Sequence, residues 1–124
     1  MRLQSGIWAV AIICALASQA LADAYDDCME KAEGVTNDML ECMYQEHAKW
    51  DKKLNANYKK AYNALESKED KATLKAAQLA WIAWRDKMSS AILVLEGGGS
   101  LSRLSANSFI LEETKRQAQR LSGE

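Results

Sequence analysis

Proline is absent from this 124-residue chain, histidine and phenylalanine each occur once, and cysteine occurs three times. Without proline, nothing in the sequence ends or kinks a helix through a missing backbone donor. The apolar–polar alternation of a half-buried strand is missing over any useful length, which excludes a sheet-based architecture. Neither charge sign dominates, since 16 basic residues meet 17 acidic ones for a formal net charge of −1. That balance gives no basic surface for nucleic acid or an anionic membrane. Long apolar runs are lacking too. Ile7 to Ala17 falls short of the about 20 residues that span a bilayer.

The Ile7 to Ala17 run has the organisation of a secretory signal. Arg2 supplies the positive start, and Ala20-Leu21-Ala22 supplies a small-x-small cleavage site. Residues 1–22 are therefore expected to be a leader and 23–124 a single helical domain, periplasmic or secreted. Cys14 does not fit a lipid attachment site, because Ile13 precedes it where a small residue is wanted. Beyond the leader, fifteen basic residues face seventeen acidic ones, and only Cys28 and Cys42 remain. An even cysteine pair in an exported chain predicts one disulfide.

Ala, Leu, Lys and Glu dominate the rest, all good helix formers. The spacing predicts an all-α small bundle of about four helices. A short one runs from Ala24 to about Glu33 and stops at Gly34. Thr36 reads as the N-cap of a long second helix, with Asp38 in its first turn and Leu40, Met43, His47, Trp50, Leu54 and Leu65 on one face. Ser67 and Asp70 resemble a capping box for the third. There Leu74, Ala77, Trp81, Trp84, Met88, Ala91 and Leu95 step by alternating threes and fours, predicting a buried seam that includes both tryptophans. "EGGGS", Glu96 to Ser100, ends it. A last helix presents Leu104, Leu111, Thr114, Ala118 and Leu121. The two long helices are expected to pack antiparallel against each other, with the shorter ones added.

The segments "CMEKAEGVTNDMLEC", "WDKKLNANYKKAY", "LKAAQLAWIAWRD", "GGGS" and "LEETKRQAQRL", in that order, resemble the LprI-type lysozyme-inhibitor domain, a small exported helical module of bacteria. The likeness spans nearly all of residues 23–124. It marks Asp51, Asn55, Tyr58, Gln78, Trp81, Arg85 and Asp86 as family-motif residues, beside Cys28 and Cys42. Members commonly carry a second cysteine pair. Its places here hold Ser89 and either Ser108 or Phe109, so the glycine turn and last helix should be less firmly tied.

The resemblance implies binding of lysozyme and a block on its cleavage of peptidoglycan. A cell-envelope interaction or toxin-neutralising role on the same fold is the alternative. An enzyme is not expected. His47 lies alone on an apolar helix face, and Ser100 has no evident base partner. No cofactor or metal is expected either, although Met39, Met43 and His47, with Cys42 among them, form a soft-ligand stripe compatible with Cu(I). The residues chosen for target contact are the turn Gly97, Gly98, Gly99 and Ser100 with nearby Arg103, an exposed basic protrusion suited to a cleft that holds two carboxylates. A polar network is expected to join Asp51 and Asn55 on the second helix to Gln78 and Arg85 on the third. Asp51 or Asp86 would hold the arginine.

Overall fold

The computed structural model describes residues 24–123. The leader expected at residues 1–22 lies outside the described residues. Among the described residues there are four helices: α1 over residues 24–31, α2 Thr36–Ala64, α3 Lys68–Leu95 and α4 Ser100–Ser122. No strand occurs among the described residues. Cys28 in α1 and Cys42 in α2 form the disulfide, with their Cα atoms 5.8 Å apart.

Local signals account for most helix ends. Ser67 Oγ accepts a 3.0 Å hydrogen bond from the Asp70 backbone N–H, so the third helix starts on the cap its sequence announces. Thr36 is not a cap. Val35 occupies that position without a side-chain bond, and Thr36 is the first helical residue of α2. At the other end of the chain, Gly123 adopts φ 76° and closes α4 in the left-handed conformation.

Topology follows from hydrogen bonds between helices. Arg103 meets Asn37 near the starts of α4 and α2, and Asn57 meets Ala118 near their ends, so α2 and α4 run parallel. Ser89 bonds the Ala106 carbonyl and Gln78 bonds Gln117, so α3 runs antiparallel to α4. The last helix is the central one. It packs broadly on α2 and less broadly on α3, while α2 and α3 scarcely meet. The expected direct packing of the two long helices is therefore replaced by an α2–α4–α3 arrangement.

The core sits mainly between α2 and α4. Leu40, Met43 and Leu54 are buried from one side, and Ala106, Leu111 and Ala118 from the other. Full burial of a leucine side chain contributes about 2 kcal/mol, so Leu54 and Leu111, each nearly inaccessible, are principal anchors of this pair.

The predicted seam of α3 is rotated. Trp84 is 47% exposed, and Ala77, Met88 and Leu95 also face outward. Trp81 is half-buried, and the buried residues of α3 are Gln78 and Ser89. The cause lies in α4, whose inner face offers polar partners: the Gln117 amide, the Thr114 hydroxyl and the Ala106 carbonyl. Gln78, Arg85 and Ser89 bond to these three in turn. Because buried polar groups must be paired, α3 turns its polar ridge inward and leaves the apolar one outside.

Candidate functional site: an interhelical groove and a glycine tip

Several residues marked by the sequence resemblance lie on the side where α2 and α3 face each other across α4. Asn55 and Tyr58 from α2, with Lys75, Gln78, Leu79 and Ile82 from α3, line a groove of about 260 Å³. Asn55 Nδ2 donates to Asp51 Oδ2 at 3.4 Å, one turn back along α2. The floor is tied to α3 by Gln117 Nε2, which donates to Gln78 Oε1 at 2.8 Å.

Further along α3, Arg85 is held on three sides. Its guanidinium lies 5.0 Å from the Trp81 ring, and Nη1 donates to Thr114 Oγ1 at 3.3 Å. Asp86 Oδ1 accepts from Nε at 3.0 Å and from Nη2 at 2.9 Å. The neighbouring Asp86, rather than Asp51, is thus the carboxylate partner of Arg85. The side-chain network joins α3 to α4, and no such bond links α3 directly to α2 among the described residues. Gln117, missed in the sequence because a glutamine in a basic, polar helix looks solvated, is one of its buried members.

His47 stands on α2 within the electrostatic reach of Asp51, Arg85 and Asp86. Burial pushes its pKa below the ordinary value; Asp51 and Asp86 pull it up and Arg85 pushes it down. Its Nε2 is buried and has no hydrogen-bond partner among the described residues, and the same holds for Trp81 Nε1. In the Met39, Met43 and His47 stripe, Cys42 is consumed by the disulfide. No group of three His, Cys, Asp or Glu residues placed to hold a metal occurs among the described residues.

The second candidate region is the α3–α4 turn. Gly97 and Gly98 have φ values of 93° and 74°, and their backbone N–H groups bond the Val94 and Leu93 carbonyls at 3.1 and 2.9 Å. These bonds satisfy carbonyls left free at the end of α3. Buried Ser102 donates to the Glu96 carbonyl at 2.7 Å and closes the turn from the other side. Ser100 belongs to α4 as its first residue. The glycines and Ser100 are exposed, flanked by Val94, Leu95 and Leu101, each more than 70% accessible. Arg103 Nη2 donates to Asn37 Oδ1 at 3.0 Å, so this tip is joined to the start of α2, beside exposed Val35.

The structure thus places the sequence-selected residues in two regions. Asn55, Tyr58 and Gln78 share the groove, with Asp51, Trp81, Arg85 and Asp86 beside it. The glycine turn and Arg103 stand at one end of the bundle. The apolar flank of that turn was not selected from the sequence, because leucine and valine at a helix end look like core. None of the described helices is long and apolar enough to cross a membrane.

Comparison with curated proteins and with solved structures finds no match. Residues 28–121, from the first disulfide cysteine to the end of α4, match the family model of the lysozyme inhibitor LprI. The chain belongs to the LprI lysozyme inhibitor family.

Proposed function

We propose that this protein is an exported lysozyme inhibitor that acts by binding and carries out no reaction of its own, with the glycine tip as its contact surface. The observation that carries the reading is the composition of that tip: an exposed turn at Gly97 to Gly99, apolar shoulders at Val94, Leu95 and Leu101, and Arg103 tethered alongside. Glycosidases of the lysozyme type hold a pair of carboxyl groups in a substrate cleft, so a narrow protrusion with a fixed cation complements such a cleft in shape and charge. Apolar side chains that are solvated in the free protein supply the desolvation that binding needs.

Export is supported by the leader pattern in residues 1–22 and by the Cys28–Cys42 disulfide, which persists in an oxidising compartment. The groove of Asn55, Tyr58 and Gln78 is assigned a structural role, because Gln78 is already engaged by α4.

The test is lysozyme turnover on cell-wall substrate, titrated with the oxidised protein against c-type and g-type enzymes. Saturable inhibition that is lost on deletion of Gly97 to Gly99, or weakened at least tenfold by Arg103→Glu, is the expected result. Unimpaired inhibition by the deletion variant would remove the tip from the mechanism. No inhibition of either enzyme type by a folded, oxidised sample would point instead to a different envelope partner.

A further inference from the structure

One exposed flank of α3, beside its contact with α4, has its own regular pattern. Asp70, Thr73, Ala77, Ala80, Trp84 and Lys87 follow one another by threes and fours, and all six are exposed. This spacing sets them on one stripe of the helix, and among the described residues the ring contact on it is that of Trp84 with Phe109 of α4. A groove of about 570 Å³ lies along it beside Trp84, lined by Ala80, Ala83 and Ala91 together with Trp84, Lys87 and Met88. The indole is fixed rather than free, since its ring meets Phe109 edge-on with centroids 5.6 Å apart.

Charge and size along this face select the occupant. The negative charge of Asp70 lies near the N-terminal end and the positive charge of Lys87 lies towards the C-terminal end. Neither side chain forms an ion pair among the described residues. A parallel copy would set each charge against its like. An antiparallel copy sets Asp70 against Lys87 of the second copy, and the same contact recurs by symmetry. In that register Thr73 faces Trp84 of the second copy and Ala77 faces Ala80. The one large side chain of each helix falls opposite a small one, and the centre is narrow enough for close approach.

We infer that two copies of this chain pair through this exposed flank of α3, antiparallel about a two-fold axis between Ala77 and Ala80. From Asp70 to Lys87 the contact is about 26 Å long at 1.5 Å per residue. A single helix pair of that length lies below the about 800 Å² per partner of stable complexes, so the dimer is weak and concentration-dependent. The pairing runs the helices in opposite directions and therefore carries the two glycine tips to opposite ends. It does not depend on lysozyme binding.

Sedimentation velocity of the oxidised protein from about 10 µM to about 1 mM tests it, with a dissociation constant on the order of 0.1 mM expected. Either Lys87→Glu or Asp70→Lys should weaken association at least tenfold with helical circular dichroism unchanged, and the two combined should restore it. A single monomeric species at every concentration would overturn the inference. So would a dimer indifferent to both single reversals, because it would use another face or another partner orientation.

Discussion

Gln78 on α3 and Gln117 on α4 share a 2.8 Å hydrogen bond between two buried amides. Removing one partner leaves the other buried without its bond, at a cost of about 1–3 kcal/mol. Gln78→Leu should therefore destabilise the protein by about that amount in urea unfolding. The double variant Gln78→Leu/Gln117→Leu should recover much of the loss, because two apolar groups make no such demand. A double variant as unstable as the sum of the singles would contradict the pairing.

Arg85 contributes through geometry as much as through charge. Its side chain is 12% exposed, stacked on Trp81 and bonded to Thr114, whereas Asp86 is 57% exposed and solvated. Arg85→Met keeps the apolar stem and should cost about 1 kcal/mol, a fall in melting temperature of about 4–8 °C for a domain of this size. Arg85→Lys should not rescue it, because an ammonium lacks the planar fork that reaches Thr114 and Asp86 together. An unchanged melting temperature for both variants would remove the arginine from the α3–α4 joint.

The three glycines of the tip are not equivalent. Gly97 and Gly98 occupy left-handed backbone, while Gly99 has φ −84°. Alanine at Gly98 should cost about 1–2 kcal/mol through backbone strain alone, since no atom crowds the position of an added Cβ. Gly99→Ala, at the N-cap of α4 in extended backbone, should cost less, through the lost cap preference and not through strain. Thermal melts of the two variants give the comparison.

His47 ties stability to mild acid. Its folded pKa is depressed by burial, so below about pH 6.5 the unfolded chain takes up a proton that the folded protein declines. Its contribution is complete above the unfolded value, falls as pH drops towards the folded value, and levels off beneath it. His47→Gln should flatten the fall in stability that the parent shows as pH drops below about 6.5. Identical profiles for parent and variant would show that the imidazole is neutral to folding.

The disulfide closes a segment with a sequence separation of 14. A loop of that size is worth about 3 kcal/mol, so Cys28→Ser/Cys42→Ser should lower unfolding free energy by about that much. The loss should be local. α1 should fray first, because its eight residues are too few to be helical alone. Hydrogen exchange of the α1 amides in reduced and oxidised protein measures this directly.

Helix number and the disulfide were legible because each has a local cause: unbroken helix formers, the Ser67 cap, the glycine stops and a single cysteine pair. Which face of α3 turns inward was not. Hydrophobic periodicity favoured Ala77, Trp84, Met88 and Leu95, and tertiary hydrogen bonding overrode it. Gln78 and Ser89 could be read as inward only with Gln117 and the Ala106 carbonyl in view, and those lie far along the chain. The same limit hid the parallel pairing of α2 and α4, which depends on α4 inserting between two helices that precede it. Of the site, Arg85 and Asp86 were visible as a pair, and the glycine turn as a turn. The apolar shoulders of the tip were not, because exposure is a property of the assembled bundle.

The central place of α4 bears on the order of events during synthesis. α2 and α3 emerge before α4 and scarcely touch each other, so the broad packing surface of each waits for α4. An emerging chain therefore keeps α2 and α3 unpacked until α4 is out. Only the Cys28–Cys42 link, short in sequence, has its two ends available earlier. On the export route proposed above, this timing keeps the chain threadable through a narrow pore and confines assembly of the bundle to the far side.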